Sequence, residues 1–385
     1  MTVDYIYLVL IVIILTLALL EWKHPASSNR FFKAATAVVF FFTIFRAPVI
    51  CADMWSYTKD AIGKVSMYTY AESIEPLYDV YRTIFRNFCP HIFPFILVTS
   101  LITLIPVFVL IKRYSKYKTM SVLFFFLLLR FDVFWGILRQ CLALSFMLWA
   151  VMYVMDDKKR KWLVYAVLCI IAYFFHHSSA FVAALFLGCY FLPIKNRVFP
   201  IATIFVTFVI GMLLQSFDFF SFLRVVDTWG IVEDKYTSHY LDEYSKMNEN
   251  AGGKISLVTM ARPILAMIIF LFINKEKVNH WFSKIFFAGI VLLNLFTTLS
   301  LLFRMLIANM LFGVILVSWV LESRTYIVMK TRNIVRLTMT VVICLYTIAY
   351  CKYYVWGWDL DDPARLHPYY FIWEDYSSHP AITRY

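Results

Sequence analysis

An all-α polytopic membrane protein is the fold class that this sequence predicts, and three observations predict it. Hydrophobic residues make up 62% of the 385 and mean hydropathy is +0.73, against an apolar share of ~45–50% in soluble globules. Apolar stretches of membrane length recur along the whole chain, the mark of helical spans whose backbone is satisfied internally. Basic residues fall in alternate short turns between those stretches. The expected architecture is a single integral membrane domain over residues 1–385, with about twelve spans, both termini outside and two long outer loops.

The spans are expected at residues 5–20, 34–50, 91–111, 119–131, 137–155, 161–176, 179–194, 198–214, 255–273, 284–300, 302–321 and 336–355. No small-residue cleavage site follows the first apolar run, so Tyr5–Leu20 reads as a span and not a removable signal. The second span carries Arg46 near its end, and the fourth ends on Arg130. Arg139 opens the fifth, and the run from Asp156 to Lys161 turns the chain into the sixth. His176-His177-Ser178-Ser179 links the sixth and seventh, Arg262 lies inside the ninth, and Arg304 opens the eleventh. No internal repeat or low-complexity tract interrupts this pattern.

Charge fixes the expected orientation. Alternate turns hold Lys23, Arg30 and Lys33, then Lys112 to Lys118, Lys158 to Lys161, Lys195 and Arg197, Lys275 to Lys284, and Arg324 to Arg336. The positive-inside rule puts these turns in the cytoplasm and both termini outside. The net charge of +12 is therefore topological, and nucleic acid is not an expected partner.

The outer side receives residues 51–90, residues 215–254 and the tail 356–385. Connections of that length exceed the usual ~2–8 residues between bundled helices and commonly act as lids or binding loops. The tail is aromatic and acidic, suited to anchoring at the interface. Seven cysteines do not make a disulfide framework, although Cys51 and Cys89 lie near one outer loop and could pair. No Cys/His spacing suits zinc. The run Asp359-Leu360-Asp361-Asp362 resembles a metal-binding Asp-x-Asp, but its place in the tail reads better as a solvated acidic patch. Neither a metal nor another cofactor is expected.

Chemistry is expected at the outer surface. Arg46, Arg130, Arg139, Arg262 and Arg304 are not explained by the cytoplasmic turns. A charge in a span costs ~2.5–3.5 kcal/mol on insertion scales, so several on one side need a reason. Each alone could snorkel or pair with Asp53 or Asp132. Together they predict a cationic pocket matched to a phosphate or diphosphate. The histidine pair, His176 and His177, stands at the same level and offers a general base, with Asp53 and Asp132 as other candidates. Glu75-Pro76 could cap a helix in the outer loop.

These motifs resemble the EpsG-type family of Wzy-like polysaccharide polymerases. The matching residues are Arg46, Asp53-x-x-x-Tyr57, Glu75-Pro76-Leu77-Tyr78, Arg139-Gln140-x-Leu142-Ala143, His177-x-Ser179-Ala180, Arg304 and Pro368-Tyr369. Cys51-Ala52 stands where the family commonly has a glycine before the Asp, and Arg304 lacks the usual nearby tyrosine. The resemblance implies a GT-C-like bundle in the bacterial inner membrane with its site facing outward. It implies transfer of a growing glycan from undecaprenyl diphosphate to the non-reducing end of a lipid-linked repeat unit. The partners implied are that lipid-linked oligosaccharide, membrane lipid, a chain-length regulator and a flippase.

The expected assignments follow. Arg139, Arg262 and Arg304 bind diphosphate and His177 activates the acceptor. Asp53 and Glu75 position it, with Arg46, Tyr78, Arg130, Asp132 and His176 lining the substrate site. A flippase for the same units is the rival reading, since twelve spans suit a transporter, but its charges should lie near the midplane. A membrane acyltransferase using His177 is a third reading, and its donor would enter from the opposite face.

Overall fold

The computed structural model describes residues 4–51, 53–63, 75–129, 133–194, 196, 198–214, 257–273, 280–296, 300–322, 329–355 and 369–377. Among these the regular structure is helical, apart from one isolated antiparallel bridge between Arg46 and Phe371. Every segment expected to span carries a helix. In order they are α1 (Tyr5–Lys23), α2 (Ser28–Ile44), then two helices within residues 51–90, α3 (Met54–Ala61) and α4 (Pro76–Phe88). There follow α5 (Ile92–Tyr114), α6 (Lys118–Leu129), the single turn α7 (Val133–Gly136), α8 (Leu138–Met155), α9 (Lys161–Phe175), α10 (Ser179–Phe191) and α11 (Val198–Leu213). The last four are α12 (Leu257–Phe272), α13 (His280–Leu295), α14 (Ser300–Glu322) and α15 (Met329–Tyr350).

Among the described residues, five helices are long and apolar enough to cross a membrane, namely α1, α5, α8 and most of α14 and α15. Six further apolar helices are shorter. The chain is thus a multi-pass helical membrane protein. On α15 an outward stripe of Ile334, Leu337, Val341, Leu345 and Ile348 recurs at helical spacing and stays exposed. Lipid accepts such a stripe, whereas water would not.

Two helices form the middle of the bundle. On α6 every residue from Thr119 to Leu129 is buried, and α14 is buried from Leu306 to Val317. Around them α1, α2 and α5 pack on one side and α11, α12 and α13 on the other, while α8 lies along both α5 and α9.

The two ends of the bundle differ chemically. At one end the basic turns meet: Arg113 reaches Asp156 at 2.9 Å and Lys116 reaches Glu322 at 2.7 Å. There, too, the buried Glu21 accepts from the Met120 N–H at 2.9 Å and from the Ser28 hydroxyl. At the other end the start of α1 meets the C-terminal segment, where the Tyr369 N–H donates to Asp4 at 2.9 Å and the Asp4 N–H to the Val355 carbonyl at 3.0 Å. That segment also clasps the end of α2, through Ala47 N–H to Tyr370 O at 2.8 Å and Ile372 N–H to Phe45 O at 2.8 Å. The basic turns that the structure describes therefore gather at one end, as the charge pattern requires.

Residues 51–90, expected as a long loop in which Glu75-Pro76 could cap a helix, are helical over much of their described part. Pro at the first position starts α4 behind Glu75, whose extended ψ of 129° ends the preceding chain. Asp60 on α3, with no exposed side-chain surface, binds Arg82 of α4 at 2.8 Å through both carboxylate oxygens and Arg86 at 3.1 Å. A buried carboxylate held by two guanidinium groups makes α3 and α4 one unit. Cys51 and Cys89 are both free thiols, so the suggested pairing does not form. Residues 215–254, most of the tail and Asp359–Asp362 lie outside the described residues.

Candidate active site

The site forms where α8 begins. The chain breaks at Ile137, between the turn of α7 and the first turn of α8, and this places Arg139 and Gln140 at the mouth of the bundle. Gly136 permits the approach of the loop before α3, because a Cβ there would sit 2.5 Å from Cys51 Sγ. Arg139 Nη1 lies 2.6 Å from Glu75 Oε2, and Arg139 Nε donates to the Tyr57 hydroxyl at 3.3 Å. The guanidinium is also 6.0 Å from the ring centres of Tyr57 and Tyr78. Helices α3, α4 and α8 thus each supply one wall of its seat.

His176 closes the arrangement from α9. It caps that helix in extended conformation, and its Nδ1 stands 2.8 Å from Glu75 Oε1. Glu75 uses both carboxylate oxygens, one on a cation and one on an imidazole, and its side chain is 6% exposed. It makes no capping bond to its own helix. Burial disfavours its charged form, but the hydrogen bond with His176 and the Arg139 charge override that and hold the carboxyl at about 2.

A carboxylate only accepts, so His176 must carry its proton on Nδ1. In the neutral ring Nε2 is then the free lone pair, which is the geometry of an oriented general base.

The other expected residues separate. Tyr78 is fully buried, edge-on to Tyr57 with ring centres 5.8 Å apart. Asp53 caps α3 one turn before Tyr57, its carbonyl accepting from the Tyr57 N–H at 3.1 Å. Arg304 lies across the mouth from Arg139, its carbonyl taking the Gln140 amide at 2.6 Å. The expected single pocket of arginines takes a different form. Arg46 is buried, stacks over Trp135 at 5.0 Å and donates to the Thr43 carbonyl. Arg262 lies on α12 with Tyr346 as a neighbour, and neither arginine lines the cleft at Arg304. Arg130 and Asp132 lie outside the described residues.

His177, expected as the activating base, points away: it is exposed and stacks on Tyr173 with ring centres 4.8 Å apart. Its neighbour in sequence makes the contact instead. Consecutive residues at a helix end diverge, so the pair could be placed from sequence but not sorted. The Asp60–Arg82–Arg86 clamp was missed because only the folding of α3 against α4 brings those residues together.

A histidine, a buried carboxylate and two arginines thus gather at one end of a helical membrane bundle. The EpsG family model matches residues 29–369, so this chain belongs to the EpsG family. That membership supports a polysaccharide-polymerase-like function. Comparison with curated proteins and with solved structures finds no match.

Proposed function

We propose that this chain is a metal-independent polysaccharide polymerase of the Wzy-like kind, set in the bacterial inner membrane with its site facing outward. It transfers a growing glycan from undecaprenyl diphosphate to the non-reducing-end hydroxyl of a lipid-linked repeat unit. One observation carries the reading: Glu75 joins His176 at 2.8 Å to Arg139 at 2.6 Å at the end of the bundle away from the basic turns.

The acceptor oxygen attacks the anomeric carbon of the donor glycan as the bond from that carbon to the lipid diphosphate breaks. The diphosphate leaves with the electron pair, and the acceptor proton passes to His176 Nε2. Glu75 stabilises the imidazolium that forms, as the buried carboxylate of a catalytic triad does. Arg139 keeps Glu75 ionised and adds positive potential toward the departing diphosphate, with Arg304 on the far side. The role expected of His177 passes to His176. Asp53 stays a positioning residue, through the first turn of α3 that carries Tyr57. A flippase that delivers the units and a chain-length regulator are the partners this activity calls for.

The test is to incubate the purified full-length chain with defined lipid-diphosphate repeat units and weigh the products. Wild type should yield glycans of several units, and His176→Ala should yield none above background. Translocation across liposomes without lengthening would replace the reading by a flippase.

A further inference from the structure

Among the described residues nothing covers one edge of α4. Val80, Ile84 and Phe88 recur every fourth residue along that edge and are 53%, 50% and 84% exposed. The adjoining face turns inward, with Tyr78 and Phe85 buried and Tyr81 packed between them. Asp79, Arg82, Thr83, Arg86 and Asn87 take the remaining side, where Asp60 of α3 holds both arginines. Helical spacing thus divides α4 into an apolar half and a polar half.

The inward face docks below the end of a spanning helix. The Tyr81 hydroxyl lies 2.6 Å from Thr99 Oγ1, about 10 Å along α5 from its start at Ile92. Phe85 meets Phe95 of the same helix with ring centres 5.3 Å apart. Tyr81 also meets Phe175, the last residue of α9, edge-on at 6.3 Å. On α9 the residues Leu163, Val167, Ile170 and Phe174 form an exposed apolar stripe at helical spacing. Because α4 packs on α9, its bare edge adjoins this lipid-facing side of the bundle. Water would disfavour such an edge, and acyl chains would not.

We propose that α4 lies in the bilayer interface at this end of the bundle, with Val80, Ile84 and Phe88 among the acyl chains of phospholipids. Its polar side, braced by α3, then faces headgroups and water. Helices divided in this way sink an apolar face ~5–10 Å into the headgroup boundary. A line of two aliphatic side chains and one phenyl ring offers a protein partner no charge to pair. Acyl chains need no such match. The contact bears on the site, because α4 begins just after Glu75, whereas α8 carries Arg139 and α9 ends at His176. Lipid thus sets the height at which Glu75 meets its two partners.

Placing the photocrosslinker p-benzoylphenylalanine in turn at Val80, Ile84 and Phe88 of the full-length chain tests this. The chain is irradiated in isolated membranes and its adducts are identified by mass spectrometry. Ile170 on α9 is the lipid-facing control, and Thr83 and Asn87 report the polar side of α4. Phospholipid adducts at the three apolar positions should match those at Ile170 and exceed those at Thr83 and Asn87 several-fold. Adducts mainly to a second copy or to another protein would overturn the assignment. So would lipid labelling no higher at Ile84 and Phe88 than at Thr83 and Asn87. Labelling at Ile170 with none at any of the three α4 positions would put that edge in water and overturn it too. Every arm is read without glycan substrate, so failure here is distinct from failure of the polymerase reading.

Discussion

At the scale of single residues, the chemistry turns on which of two adjacent histidines faces Glu75. His176→Ala should lower polymerisation by ~10²–10⁴-fold, the usual worth of a general base. His177→Ala, removing an exposed ring that rests on Tyr173, should stay within a few-fold of wild type. Turnover of lipid-linked units by the two variants, side by side, checks both statements. Glu75 also has a pH signature. Its carboxyl is held at about 2 against an ordinary value of 4.5, so its contribution to stability is complete above pH 4.5 and lost as pH falls through about 2. Thermal unfolding in detergent should therefore show a wild-type loss on acidification that Glu75→Gln lacks in this range. The sequence pointed to Arg139 because a charge in a span is expensive, to the histidine pair because it stands at the same level, and to Glu75 through the motif Glu75-Pro76-Leu77-Tyr78. It could not say that Arg46 serves packing, since burial against Trp135 follows only from how α7 and the C-terminal segment close over α2. Cys51 has φ +85°, a left-handed conformation that glycine adopts without strain.

At the scale of elements, α3 and α4 form a rigid wall of the site and not a loose lid. Asp60→Ala would take the shared carboxylate from Arg82 and Arg86, and because those side chains are 11% and 37% exposed and Arg82 also holds Asp79, the loss should be about 1–3 kcal/mol. Limited proteolysis should then cut between α3 and α4 faster than in wild type, with the transmembrane helices intact. A second joint lies far from the chemistry. A Cβ at Gly211 would fall 1.7 Å from the Asn294 backbone carbonyl, so α11 and α13 touch only because glycine is there. Gly211→Ala should force them apart and lower the melting temperature without altering lipid specificity. Helix positions were readable from hydropathy, and each expected apolar segment is helical. Of the two helices within residues 51–90, only the start of α4 at Glu75-Pro76 was readable, because α3 is too short to stand out. Their stability comes from Asp60 and its arginines, a contact between residues 22 and 26 positions apart.

At the scale of the whole molecule, charge and chemistry divide between the two ends of the bundle. The ties from Arg113 to Asp156 and from Lys116 to Glu322 mark the end with the basic turns, and Glu75, Arg139 and His176 mark the other. The C-terminal segment belongs to the second end, where Tyr369 donates to the Phe42 carbonyl at 2.6 Å and Phe371 stacks on Trp373 at 4.7 Å. Deleting residues 369–385 should loosen the junction of α1 and α2 and uncover Arg46, making a cysteine placed at Thr43 reactive to a thiol probe. Sequence alone carried the alternation of charge and hence this polarity. It did not carry the assembly of the site, which draws on α3, α4, α8, α9 and α14 together.

In the proposed mechanism an ionised Glu75 couples Arg139 to His176. Replacing Glu75 by glutamine keeps the size of the side chain, removes its charge and turns one of its two acceptor oxygens into a donor, so that group can no longer accept from both Arg139 and His176. With the Glu75→Gln chain folded and present in the membrane at wild-type level, its turnover of lipid-diphosphate repeat units is the direct measure. A fall of ~100-fold or more is the predicted result, and turnover within about threefold of wild type would contradict the account.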